Sequence, residues 1–311
     1  MLRILIVCRI HSGQISPFIT EQVNSLKSLG IEVDYILVDQ KGLVGYLKKR
    51  KDLLNKIKVY RPDIIHAHYG LSGLLANLQK KAPVVTTYHG SDINNRMVFP
   101  FSRICMMLSV YNIFVSAKNQ KKSGIKKNNL VIPCGVDLNL FVPINKEEAK
   151  NKLKLDKNKK YILFAGAFQN QVKNSELAIE AVSMTPDVEL LELNGYTREQ
   201  VVTLMNAVDV ALMTSFTEGS PQFIKEAMAC NCPIVSVPVG DVPEVIANLE
   251  GCYISTYDPS DVAAKLKLAF DFANRTDGRK RIIELKLDTE NVAKRILGVY
   301  NSIIPNSTLP D

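Results

Sequence analysis

One stretch of the 311-residue chain, residues 209–246, restricts the fold more than any other part of the sequence. It contains a short apolar run, Val210–Met213, of the kind that a parallel sheet buries on both faces. Ser220 and Pro221 then suit the N-cap and the first position of a helix, and the apolar run CPIV follows that helix. A strand, a helix and a second strand in this order predict a parallel sheet covered by helices.

Two glutamates in this stretch, Glu218 and Glu226, have seven residues between them. At about 100° per residue, Glu226 lies on the flank of the helix's apolar stripe, beside Gln222, while Lys225 lies on the far side. We therefore expect Glu226 to face the edge of a cleft rather than bulk water. The alternative is that both are ordinary surface glutamates, as most glutamates are.

The loop at residues 217–220 lies where a strand ends and a helix begins, which is where open α/β sheets bind ligands. Free backbone N–H groups and the positive end of the helix suit a diphosphate, and Gly219 lets the backbone approach it closely. In that case Glu226 would accept hydrogen bonds from a ribose, and Glu218 would contact the group attached to the phosphate.

The segment EGSPQFIKE, followed by AMA, CPIV and VGDVPEVI, resembles the E-x7-E signature of retaining family 4 glycosyltransferases (glycosyl transferases group 1). The resemblance implies the α/β GT-B fold, in which two doubly wound, parallel-sheet, Rossmann-like domains face each other across a cleft. It also implies that Glu226 holds the nucleotide ribose and that Glu218 touches the donor sugar. The intervening loop would bind the diphosphate through the residues Gly219, Ser220, Pro221 and Gln222. Pro221 stands where many members have glycine, which removes one N–H donor.

The same resemblance sets the domain organisation. Residues 1–143 would form the acceptor-binding domain and residues 144–288 the domain that binds the nucleotide sugar. The connecting segment CGVDLNLFVP resembles the GVD-x-x-x-F linker of the family. Residues 289–311 would supply a C-terminal helix that crosses back to the first domain, and a polar tail.

Four further residues complete the predicted site. His89 begins the loop of TYHGSD, which resembles the family segment whose histidine faces the donor sugar, and we expect it to act in catalysis with Glu218. Gly13 lies in the loop after the first strand, and Gly166 ends a later one, so backbone and ligand could approach closely there. Lys173 follows in a V-K-N motif and would offset the phosphate charge, whereas the arginine usual just after the glycine is absent.

Each of these assignments has a plain structural alternative. A loop histidine with ordinary hydrogen bonds would explain His89, and a solvated surface lysine would explain Lys173. His66 and His68 flank the end of a strand without other metal-ligating residues, so we expect them to be structural. The six cysteines are scattered, which predicts buried thiols rather than disulfides or a zinc site.

Charge differs between the two halves of the chain. Residues 1–143 contain 20 Lys and Arg against 8 Asp and Glu, whereas residues 144–311 contain 19 against 23. A basic first half suits an anionic partner, such as a lipid-linked phosphate or an anionic membrane surface. Residues 42–61 form a predicted basic amphipathic helix, which we expect to pack on the sheet, with membrane contact as a second role. No motif supports nucleic-acid binding.

Together these observations predict a retaining, EC 2.4-class glycosyltransferase. It would use a UDP- or GDP-sugar and a hydroxyl acceptor, a glycan or a lipid-linked carrier, in surface polysaccharide or glycolipid biosynthesis. No Asp-x-Asp motif is present, so we expect neither a metal nor another cofactor. The alternatives are a GT-B-fold sugar-nucleotide epimerase and a catalytically silent nucleotide-binding or membrane-associated partner. A dehydrogenase would need a G-x-G-x-x-G loop, which is absent. The absence of a signal-like start predicts a cytoplasmic protein, with peripheral association at the cytoplasmic face of the membrane as a further hypothesis.

Overall fold

The computed structural model describes residues 1–11, 13–40 and 42–304, and the chain divides into two compact units. The first unit comprises Met1–Gly135 together with the residues from Thr289 onward, and the second comprises Val136–Asp288. The C-terminal helix is therefore part of the first unit. The predicted tail, residues 305–311, lies outside the described residues.

The second unit begins at Val136, eight residues before the predicted start at residue 144. Val136 forms a β-bridge with Asp288, at the other end of the same unit. Phe141 is fully buried in the core of this unit. The linker motif therefore packs as the first segment of the second unit rather than as a free connection.

A mainly parallel sheet forms the centre of the first unit. Its strands are β1 (Arg3–His11), β2 (Gln14–Ile15), β3 (Glu32–Val38), β4 (Ile64–His68), β5 (Val84–Tyr88), β6 (Tyr111–Phe114) and β7 (Asn129–Val131). The order is β2-β1-β4-β5-β6-β7, and β3 also pairs with β1. All pairings are parallel except the short hairpin of β1 with β2, which the sequence did not predict.

Alternate residues of β1 enter two different cores. Ile4 and Ile6 pack in one cluster with the C-terminal helix, and Leu5 and Val7 pack in another cluster. Burial on both faces explains the continuous apolar sequence of this strand. The helices of the unit are α1 (Pro17–Ser28), α2 (Gly42–Lys48), α3 (Arg50–Tyr60), α4 (Gly70–Ala76), α5 (Ser91–Asn94), α6 (Phe99–Leu108), α7 (Ala117–Ser123) and, at the end of the chain, α15 (Thr289–Ile303).

The single helix predicted over residues 42–61 is wrong, because the segment forms two helices, α2 and α3. Lys49 lies between them with ψ near −2°, and its N–H donates to the carbonyl of Tyr46, which tightens the chain into a turn. The Lys49 ammonium lies 3.4 Å from Asp39. Leu53 and Ile57 of α3 are buried, so this helix packs on the sheet as predicted.

The second unit contains a fully parallel sheet of five strands in the order β12-β11-β10-β8-β9. These strands are β8 (Lys160–Phe164), β9 (Val188–Glu192), β10 (Val210–Met213), β11 (Ile234–Ser236) and β12 (Cys252–Ile254). Its helices are α8 (Lys146–Lys152), α9 (Ser175–Ser183), α10 (Arg198–Ala207), α11 (Gln222–Ala229), α12 (Val242–Val245), α13 (Pro259–Phe272) and α14 (Gly278–Glu284). Two parallel-sheet α/β units confirm the predicted fold class.

Candidate active site

The loop between β10 and α11 is held against the turn that precedes α12. Gly240 has φ +60°, and a Cβ atom added there would lie 2.7 Å from the carbonyl oxygen of Gly219. Only glycine permits both this backbone conformation and this close approach. Both Gly219 and Ser220 are buried as a result, and the loop has a fixed position at the carboxyl end of the sheet.

Ser220 connects two charged side chains beneath this loop. Its hydroxyl lies 2.5 Å from Asp241 Oδ2 and accepts a hydrogen bond of 2.9 Å from Lys225 Nζ. The prediction that Ser220 is the N-cap of the helix is therefore wrong: Pro221 occupies that position, with no side-chain capping bond, and α11 begins at Gln222. The prediction for Lys225 is also wrong, since this lysine is 1% exposed. Burial raises the pKa of Asp241, and the charge of Lys225 and the bond to Ser220 partly offset that rise.

Glu226 lies one turn further along α11 and is 4% exposed. Its Oε1 accepts a hydrogen bond of 2.8 Å from Arg198 Nη1, at the start of α10. The guanidinium carbon of Arg198 lies 4.7 Å from the centre of the Phe141 ring, so a cation–π contact also orients this arginine. Glu226 is thus a buried carboxylate with a charged partner rather than a solvated surface glutamate.

Glu218 pairs with a different cation. The Lys173 ammonium donates a 2.7 Å hydrogen bond to Glu218 Oε1, and the two side chains are 23% and 18% exposed. Gly166 makes room for this lysine: it has φ +151°, and a Cβ atom there would lie 3.0 Å from Lys173 Cγ. The buried Thr214, just after β10, donates to the carbonyl oxygens of Lys173 and Asn174 and fixes the turn that carries the lysine.

The structure therefore brings most of the predicted donor-binding residues together within the second unit. Gly166 lies two residues after the end of β8, and Lys173 follows in a 3-10 turn at residues 171–173. Pro221 is buried at the N-cap of α11, and Gln222 is its first, half-buried residue. Backbone N–H groups at the start of an α-helix are unsatisfied within the helix and suit an anion.

The two remaining predicted residues, Gly13 and His89, lie in the first unit. Gly13 is exposed in the turn between β1 and β2, with φ +78°. His89 follows β5 and begins a loop that Asp92 organises: the N–H groups of His89 and Gly90 donate to Oδ1, and that of Gly70 donates to Oδ2. Burial nevertheless raises the pKa of Asp92 to about 6.

The ring of His89 is held by neighbouring aromatic and polar groups. Its Nε2 lies 3.0 Å from Nδ1 of His68, and its Nδ1 lies 3.6 Å from the thiol of Cys134. Phe18 and Tyr69 pack on the ring at centroid distances of 4.8 and 4.6 Å. His68 is fully buried, and burial lowers its pKa to about 3, so His68 itself is neutral at physiological pH.

His66 is likewise buried and lies between two hydroxyl groups. Its Nδ1 is 2.5 Å from the Tyr300 hydroxyl, and its Nε2 is 2.8 Å from that of Thr87. Desolvation lowers its pKa well below the ordinary value. His66 thereby joins the C-terminal helix to the sheet of the first unit.

Sequence reasoning missed three residues that hold the site: Arg198, Lys225 and Asp241. A signal for Arg198 exists, because Thr197 and Gln200 form a capping box, which marks the start of a helix just beyond β9. That position is at the same carboxyl edge of the sheet as Glu226. Neither Lys225 nor Asp241 has such a local signal. Asp241 contacts Ser220, which is 21 residues away in sequence, and Lys225 is buried against expectation.

Among residues 1–11, 13–40 and 42–304, no group of three or more His, Cys, Asp or Glu side chains is arranged to hold a metal ion. Within the same part of the chain, no helix has both the length and the apolar character needed to span a bilayer.

Two glycosyltransferase family models each match part of the chain. Residues 29–140 match the family model described as Glycosyltransferase Family 4, and residues 187–271 match that described as Glycosyl transferases group 1. The chain is similar to the D-inositol 3-phosphate glycosyltransferase of Mycolicibacterium vanbaalenii, with 23% identity over 264 residues. That alignment covers 66% of this chain and 58% of the relative, so the chain spans little more than half the length of this protein.

Solved structures share the fold over nearly the whole chain. The sucrose-phosphate synthase of Thermosynechococcus elongatus superposes with a TM-score of 0.85 at 16% identity, covering 99% of this chain and 100% of that one. HepE of Anabaena, solved in complex with UDP, superposes with a TM-score of 0.76 at 15% identity and covers 97% and 100% of the two chains. These likenesses establish the GT-B fold.

Proposed function

We propose that this chain, which carries matches to two glycosyltransferase family models on a GT-B fold, is a retaining glycosyltransferase. It moves a sugar from a UDP- or GDP-sugar to a hydroxyl group of an acceptor, which is a glycan or a lipid-linked carrier. The reaction belongs to surface polysaccharide or glycolipid biosynthesis. The observation that carries this proposal is the arrangement of Glu218 and Glu226 near the start of α11, each paired with a cation.

We propose a role for each group of the site in binding the donor. The first N–H groups of α11 and the Lys173 ammonium neutralise the diphosphate and its departing charge, without a metal ion. Glu226, fixed by Arg198, accepts hydrogen bonds from the ribose hydroxyl groups. Glu218 orients the donor sugar while the acceptor attacks on the face from which the nucleotide leaves.

We propose that His89, in the first unit, forms a hydrogen bond with a hydroxyl group of the donor sugar. Its Nε2 faces His68, so Nδ1 is the nitrogen that exchanges a weak contact with the Cys134 thiol for a hydrogen bond to a sugar hydroxyl. A neutral His68 fixes the orientation of the imidazole during this exchange. We also propose that the basic first half suits a lipid-linked phosphate acceptor at an anionic membrane surface.

Calorimetric titration with UDP and GDP tests nucleotide binding, with UDP first because HepE was solved with it. We expect Glu226→Ala to abolish binding and Glu284→Ala, an exposed glutamate on α14, to leave it unchanged. Unchanged affinity in Glu226→Ala would refute the assignment of this residue.

Incubation with a panel of UDP-, GDP- and ADP-sugars then tests the reaction. We expect hydrolysis or transfer with retention of anomeric configuration, unaffected by EDTA. Interconversion of the sugar without an acceptor would establish an epimerase instead. Nucleotide binding without turnover of any donor would establish a silent partner, and loss of activity in EDTA would refute metal independence.

A further inference from the structure

A groove of about 560 Å³ lies in the second unit beside the donor loop, residues 217–220 between β10 and α11, and the proposed function leaves it unused. Two aromatic side chains line it: Phe216, between β10 and α11, and Tyr257, just before α13. They are 61% and 45% exposed, although large aromatic side chains usually bury most of their surface. Their rings are nearly parallel, with an interplanar angle of 13° and centroids 6.1 Å apart.

A hydrogen bond of its hydroxyl group holds the Tyr257 ring, and a backbone hydrogen bond fixes the segment that carries Phe216. The Tyr257 hydroxyl donates a 3.0 Å hydrogen bond to the carbonyl oxygen of Ser215, which ties the two sides of the groove together. The N–H of Phe216 donates a 3.0 Å hydrogen bond to the carbonyl oxygen of Val172. The pair is therefore a preformed surface, and exposing it costs hydrophobic free energy that a ligand would recover.

Polar side chains complete the lining. Glu176 and Glu180 lie one turn apart on α9, and Asn174 immediately precedes that helix. In the part of the chain that the structure describes, none of the three side chains makes a hydrogen bond or an ion pair. Leu177, which is 6% exposed, supplies an apolar floor between them.

We propose that this groove binds a neutral oligosaccharide. The C–H groups on the face of a pyranose ring are weakly positive and stack on the negative face of an aromatic ring. The carboxylates accept hydrogen bonds from sugar hydroxyl groups, and the Asn174 amide donates one to a hydroxyl oxygen. A sugar engages the rings, the carboxylates and the amide together, so the lining favours a sugar.

Neighbouring residues of the chain form this groove and the donor loop. Phe216 is two residues before Glu218, and Asn174 directly follows Lys173, so the groove and the pair of Glu218 with Lys173 share the same two segments. Resting on the proposed function, the inference is that the groove holds a distal part of an extended glycan acceptor. Its volume lies within the usual range of small-ligand sites.

The absence of tryptophan from the chain permits a direct test. Phe216→Trp keeps an aromatic face and places a single fluorescent reporter in the groove. We expect saturable fluorescence changes on titration with at least one of maltohexaose, cellohexaose and chitohexaose. Heteronuclear NMR titration of the unsubstituted protein with the same sugar supplies the reference affinity.

Removal of either ring identifies the groove as the site. We expect Phe216→Ala and Tyr257→Ala each to weaken oligosaccharide binding about tenfold, and Ile283→Ala, an equally exposed apolar residue on α14, to have no effect. The inference is overturned if none of the three sugars binds at concentrations up to about 10 mM. It is also overturned if Ile283→Ala weakens binding equally, or if heptalysine binds instead.

This experiment involves neither nucleotide nor sugar transfer, so its outcome is independent of the test of Glu226. Nucleotide binding without oligosaccharide binding would refute the groove alone. Oligosaccharide binding without nucleotide binding would refute the transferase proposal alone.

Discussion

The pairing of Lys173 with Glu218 makes a quantitative prediction about nucleotide binding. In the structure the Lys173 ammonium has a carboxylate partner at 2.7 Å, so a diphosphate has to compete with that carboxylate for the ammonium. Glu218→Gln removes the competing charge and keeps the shape of the side chain. We therefore expect this variant to bind UDP or GDP more tightly than the unsubstituted protein, although it loses sugar transfer.

The magnitude follows from the exposure of the pair. Exposed ion pairs contribute up to about 1 kcal/mol, and hydrogen bonds to charged groups contribute about 1.5–3 kcal/mol. The two side chains are 23% and 18% exposed, which places their interaction near the boundary of these ranges, at about 1.4 kcal/mol. That free energy corresponds to about a tenfold increase in affinity.

Isothermal titration calorimetry on a double-mutant cycle measures this effect. The cycle uses Glu218→Gln, Lys173→Met and the double variant, with Glu189→Gln as the control because Glu189 forms a more exposed pair with Lys159. We expect the gain from Glu218→Gln to shrink by about 1.4 kcal/mol in the Lys173→Met background. A gain in nucleotide affinity that remains in the Lys173→Met background would report direct repulsion between the Glu218 carboxylate and the phosphates.

Two results would refute this reasoning. Weaker UDP and GDP binding by Glu218→Gln would mean that the carboxylate does not compete for the lysine. Additive effects in the cycle would mean that the contact seen in the structure has no energetic role in binding.

Three further predictions concern the groups that support the site. Gly166→Ala should weaken UDP binding in the same titration, because its Cβ would lie 3.0 Å from Lys173 Cγ and because φ +151° disfavours any side chain. Arg198→Met should lower the free energy of unfolding in urea by about 3 kcal/mol, since it leaves Glu226 buried without its cation; a loss below about 1 kcal/mol would contradict this. The pKa of Asp92 in the folded protein is raised to about 6, above its value in the unfolded chain. The protonated carboxyl group therefore stabilises the folded protein at about pH 3.8, and this stabilisation is lost as pH rises through 6. Unfolding measured against Asp92→Asn should therefore show the unsubstituted protein losing about 3 kcal/mol over that interval, and a parallel pH dependence of the two proteins would exclude it.

Sequence patterns predicted the sheet architecture because a strand that is buried on both faces is apolar at consecutive positions, and such a run is visible in the sequence. β10 is a continuous apolar run, and β1 sends Ile4 and Leu5 into different cores, which requires apolar residues at consecutive positions. Glu226 was expected to avoid bulk water and is 4% exposed, but every residue of α11 from Phe223 to Ala229 is buried, so periodicity alone does not explain its burial.

Periodicity failed where a distant residue determines the conformation. Ser220 has the side chain of a good N-cap, but its hydroxyl bonds to Asp241, 21 residues later, and the helix begins one residue beyond the predicted start. Lys225 was assigned to the solvent side by its charge and angle. It is buried because the same serine and the nearby aspartate compensate its charge.

The partners of Glu218 and Glu226 were also not predicted from the sequence. Lys173 was predicted to face phosphate. Glu218, which pairs with Lys173 in the structure, was assigned only to the sugar. Arg198 was missed because charged residues at helix starts are common and a single sequence does not show which of them meets a carboxylate. The site roles of these residues stay predictions until ligand binding is measured.

The β-bridge between Val136 and Asp288 brings both ends of the second unit together, with the last helix of the chain returning to the first unit. Ile296 and Tyr300 of that helix share a core with Ile4 of the first strand. During synthesis on the ribosome, the amino-terminal unit cannot complete this core until the final residues emerge. We therefore expect the second unit to finish folding before the first, the reverse of the usual order in which multidomain chains mature.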